Sequence, residues 1–212
     1  MYFKYGKEEM EYLSNRCEKM TWVIEKTGFI KRETMPELFP SLIQKIVGQQ
    51  ISTAAQVTIT KRMREYFGDI TPEKLHEATV DEIQKLGMSF RKAGYIKSVT
   101  ESVMNKEIIL EDLYNLEDEE VIKKLSSLKG IGPWTAEMLL AFTMNRPDVL
   151  SYGDLGIHRG LQIIYNLEKI DKKKFEEFRK RFSPYGSVAS IYIWHVAGGG
   201  IPEIQLRDKD VE

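Results

Sequence analysis

A glycine hairpin and one aspartate are the residues of this chain best suited to chemistry. Residues 128–136 read Leu-Lys-Gly-Ile-Gly-Pro-Trp-Thr-Ala, and Asp154 follows Trp134 by twenty positions. Two glycines around one apolar residue let the backbone turn tightly, and a helix N-terminus adds unsatisfied N–H groups that can hold a phosphate. A carboxylate near a sugar stabilises the positive charge that builds as a glycosidic bond breaks. Together the two features indicate chemistry on DNA.

Helices must position both features, because apolar residues recur at helical spacing along nearly the whole chain. No convincing run of alternating residues indicates a strand, so the fold class is all-α. Pro133 suits the first position of a helix that ends near Met144, which gives a helix–hairpin–helix at about residues 120–144. Further helices are predicted at 7–26, with Cys17 on a buried face, and on both sides of Gln49 and Gln50. The polar end, residues 201–212, is predicted to fray.

Each of these features also has a purely structural interpretation. The hairpin could be a plain helix–helix turn with glycines at the cap. Asp154 could be the N-cap of the helix that follows it, a role compatible with catalysis. Trp134 could be a core tryptophan. Gln49 and Gln50 could cap a helix and hydrogen-bond within a loop.

Composition narrows the function further. The chain has 212 residues, a net charge of −1, one cysteine and three histidines. The charge argues against DNA binding by bulk attraction alone. One cysteine cannot hold an iron–sulfur cluster, which needs about four thiolates, and the histidines form no metal-binding pattern. No apolar run reaches the roughly 18 residues of a membrane span, and the N-terminus lacks the apolar core of a signal peptide. We expect no membrane association and a cytoplasmic location, or a nuclear one in a eukaryote.

The hairpin string resembles the helix–hairpin–helix of the HhH-GPD superfamily of DNA glycosylases. Asp154 lies where that superfamily has its catalytic aspartate. With Trp134 in the hairpin helix, the chain resembles the alkylation-repair branch of that superfamily, the 3-methyladenine DNA glycosylase II (AlkA) family. Residues 46–52, 87–93 and 184–194 agree with that branch. The resemblance extends from about residue 36 to residue 200.

The resemblance implies two helical lobes with a central cleft that holds Asp154. Residues 33–149 would form the middle lobe with the hairpin, and residues 1–32 plus 150–212 the second lobe. AlkA-type proteins often carry an N-terminal β-domain, which we do not expect here. Members that also cut the strand have a nucleophilic lysine in the hairpin helix, where this chain has Trp134. No lysine occurs from residue 130 to residue 145, so a monofunctional enzyme is expected.

The function implied is hydrolytic removal of alkylated purines, such as 3-methyladenine or 7-methylguanine, from double-stranded DNA after base flipping. By resemblance, the base pocket comprises Trp134, Met138 and Ile191, and Gln50 fills the gap left by the flipped base. The DNA backbone would be contacted by Lys129, Gly130, Ile131, Gly132 and Arg159. The resemblance also implies a monovalent cation at the carbonyls of Leu128 and Gly130. No cofactor is expected to be required, and a monomer is expected. Two alternatives stay open: a glycosylase for an oxidised, deaminated or mismatched base, and a non-catalytic helix–hairpin–helix DNA-binding protein.

Overall fold

A computed structural model describes residues 1–206, which form thirteen α-helices and no paired strand beyond an isolated bridge between Tyr2 and Glu33. The predicted all-α fold is confirmed over this range. Among the described helices none is long and apolar enough to cross a membrane. A 3-10 helix covers Glu111–Asn115, and the α-helices are α1 Lys7–Arg16, α2 Glu18–Thr27, α3 Leu38–Gly48, α4 Thr53–Phe67, α5 Pro72–Glu77, α6 Val80–Lys85, α7 Phe90–Met104, α8 Asp118–Ser126, α9 Pro133–Phe142, α10 Leu155–Tyr165, α11 Lys172–Phe182, α12 Gly186–Ala197 and α13 Pro202–Leu206.

The chain divides into two compact units. The middle unit is Met35–Met144, and the terminal unit combines Met1–Thr34 with the chain from Asn145 onward. Fraying was expected from residue 201, but Pro202–Leu206 forms the short helix α13. Residues 207–212 lie outside the described part of the chain, so that part of the expectation is left as it stands.

Helix α12 is the core of the terminal unit, because side chains on every side of it are buried. An apolar helix without a polar face must be surrounded by other elements. Here α10 packs along it, and α11 contributes Phe175, Phe178 and Phe182 to the core. The Oη of Tyr192 donates to the carbonyl of Gly28 at 2.9 Å, so the segment after α2 is tied to α12 as well.

Helices α10 and α12 approach each other closely because α10 carries glycine at two positions one turn apart. A Cβ added to Gly160 would lie 2.2 Å from the backbone oxygen of Ile193. A side chain on Gly156 would meet Trp194 at 2.9 Å. Residues four apart lie on one helix face, so this glycine face fixes where α12 sits on α10.

The middle unit holds the hairpin between α8 and α9, and buries one face of α3 beside α7. The buried α3 residues are Leu38, Phe39, Ser41, Leu42, Ile43, Ile46 and Val47. Caps mark the starts of its helices: Ser52 accepts from the amide of Ala55, and Ser89 accepts from that of Lys92. Pro133 occupies the first turn of α9, as predicted.

The single helix expected over residues 7–26 is wrong, because the structure has two helices broken at Cys17. The backbone of Cys17 is extended, with φ −163° and ψ 114°. The hydroxyl of Thr21 donates to the carbonyls of Ser14 and Cys17, which ties the end of α1 to the start of α2 across the break. Cys17 is only partly buried, and its Sγ lies 2.9 Å from the Oη of Tyr165.

We expect Gly160→Ala to lower the free energy of unfolding by about 1–3 kcal/mol, because the new methyl group overlaps the α12 backbone. The matched control is Gly94→Ala in α7, where an added Cβ meets nothing within 4 Å. There alanine should stabilise the protein by about 0.5–1 kcal/mol, because it loses less backbone entropy on folding than glycine does. Denaturant unfolding measures both variants. Equal stability of the two would contradict the close approach of α10 and α12.

Candidate active site

Asp154 is the N-cap of α10, and its carboxylate is held by two hydrogen-bond donors. The Oδ1 atom accepts the amide of Ile157 at 3.0 Å and the indole N–H of Trp194 at 3.1 Å. Only 6% of the residue is exposed. The N-cap role considered for this residue is therefore confirmed, and it fixes the orientation of the carboxylate.

Trp194 contacts the Asp154 carboxylate, although the sequence motifs did not single it out as a candidate site residue. It lies forty residues after Asp154, on α12. The glycine at 156 makes the contact possible, since a Cβ there would also lie 3.1 Å from the Asp154 carboxylate. The guanidinium of Arg32 lies over the indole, 5.6 Å from the ring centroid, which suits a cation–π contact. The two glycines at helical spacing were the signal that could have pointed to this contact.

The other acid near Asp154 in sequence has a structural role. Asp148 accepts the backbone amide of Gly186 at 3.0 Å through Oδ1 and the hydroxyl of Ser183 at 2.5 Å through Oδ2. It thereby fixes the start of α12. Asp148 itself lies in the loop between α9 and α10.

The hairpin is built from buried anchors and two glycines with different roles. Leu128 and Ile131 are buried, and the Ile131 amide donates to the Leu128 carbonyl at 3.1 Å. Gly130 has φ +86°, and a Cβ there would lie 2.5 Å from the Tyr95 ring. Both the backbone angle and the ring therefore require glycine.

At Gly132, neither the backbone angle nor a close neighbour requires glycine. Its φ is −95°, and a Cβ added to it meets nothing within 4 Å. It is the N-cap of α9 and makes no side-chain cap, so the amides of the first turn lie beside exposed, open space. Lys129 is also exposed. The missing side chain leaves room for something outside the chain to reach the helix end.

The carbonyls predicted to hold a monovalent cation each accept a hydrogen bond. Leu128 accepts from Ile131, and the Gly130 oxygen accepts Nε2 of Gln49 at 2.6 Å. A carbonyl oxygen has two lone pairs, so each keeps one that a cation could use. In the described part of the chain no three His, Cys, Asp or Glu side chains group as metal ligands.

Gln50 lies in the turn between α3 and α4, in a backbone conformation uncommon for a residue with a side chain. Its φ is +55°, and it is exposed. Nη2 of Arg91 donates to its Oε1 at 3.3 Å. The residue after Arg91, the buried Lys92, donates from Nζ to the Val47 carbonyl at 2.8 Å. Burial lowers the pKa of Lys92, and the neighbouring Arg91 charge lowers it further.

The predicted base-pocket residues lie on two helices. Trp134 and Met138 are one turn apart on α9, where the first is 45% exposed and the second is buried. Ile191 is buried on α12, three residues before Trp194. Arg159 is exposed on α10. Their assignment to a base pocket and to a phosphate contact stays a prediction.

Comparisons with known proteins identify the family of this chain. The model of the HhH-GPD superfamily of base excision DNA repair proteins matches residues 43–184, about two thirds of the chain. DNA-3-methyladenine glycosylase 1 of Schizosaccharomyces pombe is 32% identical over 163 residues, covering 74% of this chain and 72% of the relative.

Solved structures of DNA glycosylases share the fold of this chain. A crystal structure of DNA-3-methyladenine glycosidase from Bacillus halodurans superposes with a TM-score of 0.84 at 35% identity, covering 96% of this chain and 95% of that one. The S. pombe 3-methyladenine DNA glycosylase Mag1, in complex with abasic DNA, gives a TM-score of 0.80 at 28% identity, covering 91% and 97%. On the sequence match and the shared fold, this chain belongs to the HhH-GPD superfamily of base excision DNA repair proteins.

Proposed function

We propose that this protein is a monofunctional DNA glycosylase that releases alkylated purines, of the 3-methyladenine and 7-methylguanine type, from double-stranded DNA. The observation that carries the proposal is the buried Asp154 carboxylate, fixed by two donors in a family of base excision proteins. The relatives named above as 3-methyladenine glycosylases support the substrate class, and the abasic DNA held by one of them supports the product.

The reaction breaks the bond between the sugar C1′ and the base nitrogen, and water adds at C1′. The bonding electrons leave with the base, so positive charge develops on the sugar. Asp154 stabilises that charge more in the transition state than in the ground state, and can accept a proton from the attacking water. An alkylated purine already carries positive charge, so it departs without a general acid on the base.

The hairpin supplies the contact with the DNA backbone. A phosphate oxygen at the open side of Gly132 would accept hydrogen bonds from the amides that follow Pro133 in the first turn of α9, and the helix dipole favours its negative charge. Lys129 and Arg159, both exposed, would add positive charge. A monovalent cation held by the second lone pairs of the Leu128 and Gly130 carbonyls would supply further positive charge there.

The exposed indole of Trp134 would stack on a flipped cationic base, since an electron-rich ring attracts a cation. Met138 and Ile191 would contribute apolar surface to the pocket. Gln50 would enter the gap in the duplex and hydrogen-bond the orphaned base. No lysine lies in residues 130–145 to form a Schiff base with the sugar, so the strand stays intact. We expect the enzyme to act as a monomer, in the cytoplasm or in the nucleus of a eukaryote.

Asp154→Asn should abolish base release while DNA binding is kept. An asparagine oxygen can still accept from Ile157 and Trp194, so the fold is preserved, but the charge is lost. The rate should fall by at least about 10²–10³-fold. Free bases released from methylated duplex DNA are resolved by chromatography. The wild-type product strand should stay uncut until alkali is added.

The outcomes of this experiment separate the alternatives. If the wild type binds DNA but releases neither alkylated base, the proposed substrate class is wrong. A glycosylase for another lesion would then be tested first, and a non-catalytic DNA-binding protein second. Cutting of the strand before alkali would overturn the monofunctional assignment.

Trp194→Phe should lower the single-turnover excision rate by about tenfold, because one hydrogen bond to a charged group is lost. DNA affinity should be unchanged, since phenylalanine fills most of the same space. Trp22→Phe, a tryptophan replacement elsewhere in the terminal unit, is the control and should leave the rate unchanged. An equal loss in both variants would indicate general destabilisation in place of a specific role for Trp194.

Gly132→Ala should weaken DNA binding by about tenfold or more, because a methyl group blocks phosphate from the α9 amides. Stability should change by less than about 0.5 kcal/mol, since the added Cβ meets no protein atom. Gly130→Ala is the contrasting variant, in which stability and binding should fall together. Fluorescence anisotropy with a labelled duplex and denaturant unfolding give the two quantities. Unchanged binding in Gly132→Ala would remove the hairpin from the proposed DNA contact.

A further inference from the structure

One side chain connects the hairpin to the turn that carries Gln50. Nε2 of Gln49 donates to the Gly130 carbonyl at 2.6 Å, across 81 positions of sequence. Gln49 is the C-cap of α3, and Gln50 is the next residue. If the hairpin backbone moves, this hydrogen bond therefore moves Gln49, the residue next to Gln50.

Helix α7 braces the same two parts. Near its start, Arg91 contacts the Gln50 amide and Lys92 donates to the last turn of α3. One turn further on, the Tyr95 ring packs against Gly130 so closely that no Cβ fits between them. The turn that contains Gln50 is thus supported by Arg91 at the Gln50 side chain, by Lys92 at Val47 and by Gln49 at the hairpin, and a strained backbone conformation such as that of Gln50 requires support from its surroundings.

Rigid support matters here because opening a base pair costs a few kcal/mol before any chemistry takes place. Binding energy gained at remote contacts can offset such a cost only if the groups that use it are held in fixed geometry. A hairpin and a gap-filling residue on independent loops would not share that energy. Their connection through Gln49 lets phosphate binding at the hairpin hold Gln50 in the stack.

We infer that Gln49 is a positioning residue, which couples phosphate binding at the hairpin to insertion of Gln50 into the duplex. Gln49 touches neither the sugar nor the base. The inference rests on the proposed function, because it takes the hairpin and Gln50 to be DNA contacts. It goes further in assigning Gln49 to the opening step and not to bond cleavage.

The test compares two duplexes that differ in what lies opposite the lesion, and so in the cost of base opening and in the orphaned base that Gln50 would contact. Both carry one 7-methylguanine, paired with cytosine in the first and opposite a tetrahydrofuran abasic analogue in the second. Gln49→Met keeps the length of the side chain and removes the donor. Its single-turnover rate should fall roughly two- to tenfold on the paired duplex, and by less than about twofold on the unpaired one, where opening is cheap.

Gln162→Met is the matched control. Its amide also donates to a backbone carbonyl, that of Glu168, but at the far end of α10 in the terminal unit. It should excise at the wild-type rate from both duplexes. Equal losses for Gln49→Met on the paired and unpaired duplexes would show a general structural effect and overturn the coupling.

A double-mutant cycle separates the coupling from the assignment of Gln50. Gln50→Ala should itself slow excision selectively on the paired duplex, and Gln49→Met should add little in that background, because residues that act as a unit are non-additive. Full additivity, or a selective defect in Gln50→Ala without one in Gln49→Met, overturns the coupling alone. No selective defect in Gln50→Ala overturns the proposed role of Gln50 and the coupling with it. The proposed reaction stands separately, on the loss of base release in Asp154→Asn.

Discussion

The close approach of α10 and α12 is the constraint on which the candidate active site depends. Gly160 admits the backbone of Ile193, and Gly156 admits the ring of Trp194. With larger residues at these positions, α12 would have to move outward, and the indole N–H would leave the Asp154 carboxylate. The packing of the core thus sets the hydrogen bond that orients the acid. A site built on packed helices is held more precisely than one built on loops.

The hairpin uses glycine differently from α10. In the helix the missing side chain lets another helix come close, whereas Gly130 is needed for its backbone angle and for the Tyr95 ring. Gly132 meets neither requirement, and its open side leaves room for the proposed phosphate contact. The single hydrogen bond from Gln49 then connects this hairpin to the Gln50 turn. In the middle unit, as in the terminal one, a long-range contact positions a candidate site residue.

Local sequence was sufficient for part of the molecule. Helical periodicity predicted the all-α fold, Pro133 marked the start of α9, and Asp154 was considered as the N-cap of the helix that follows it. The contacts of Trp194 and Gln49 could not be predicted, because they join residues 40 and 81 positions apart and depend on how helices pack. The break at Cys17 was missed for a related reason: the apolar period continues through it, and the hydrogen bonds of the Thr21 hydroxyl across the break give no periodic signal.

The chemistry of the leaving group explains why one carboxylate can suffice. A neutral base would need a proton from a positioned acid as it departs, and so a second titratable group near the first. A cationic alkylated purine departs as a neutral molecule, which leaves only the charge on the sugar to be stabilised. The two donors described on Oδ1 of Asp154, a backbone amide and an indole, are uncharged, so they fix the orientation of the carboxylate without opposing its charge. An arginine in the place of Trp194 would fix the same oxygen, but its own positive charge would offset the effect on the sugar. A neutral donor at residue 194 is therefore the choice that keeps Asp154 both oriented and electrostatically effective.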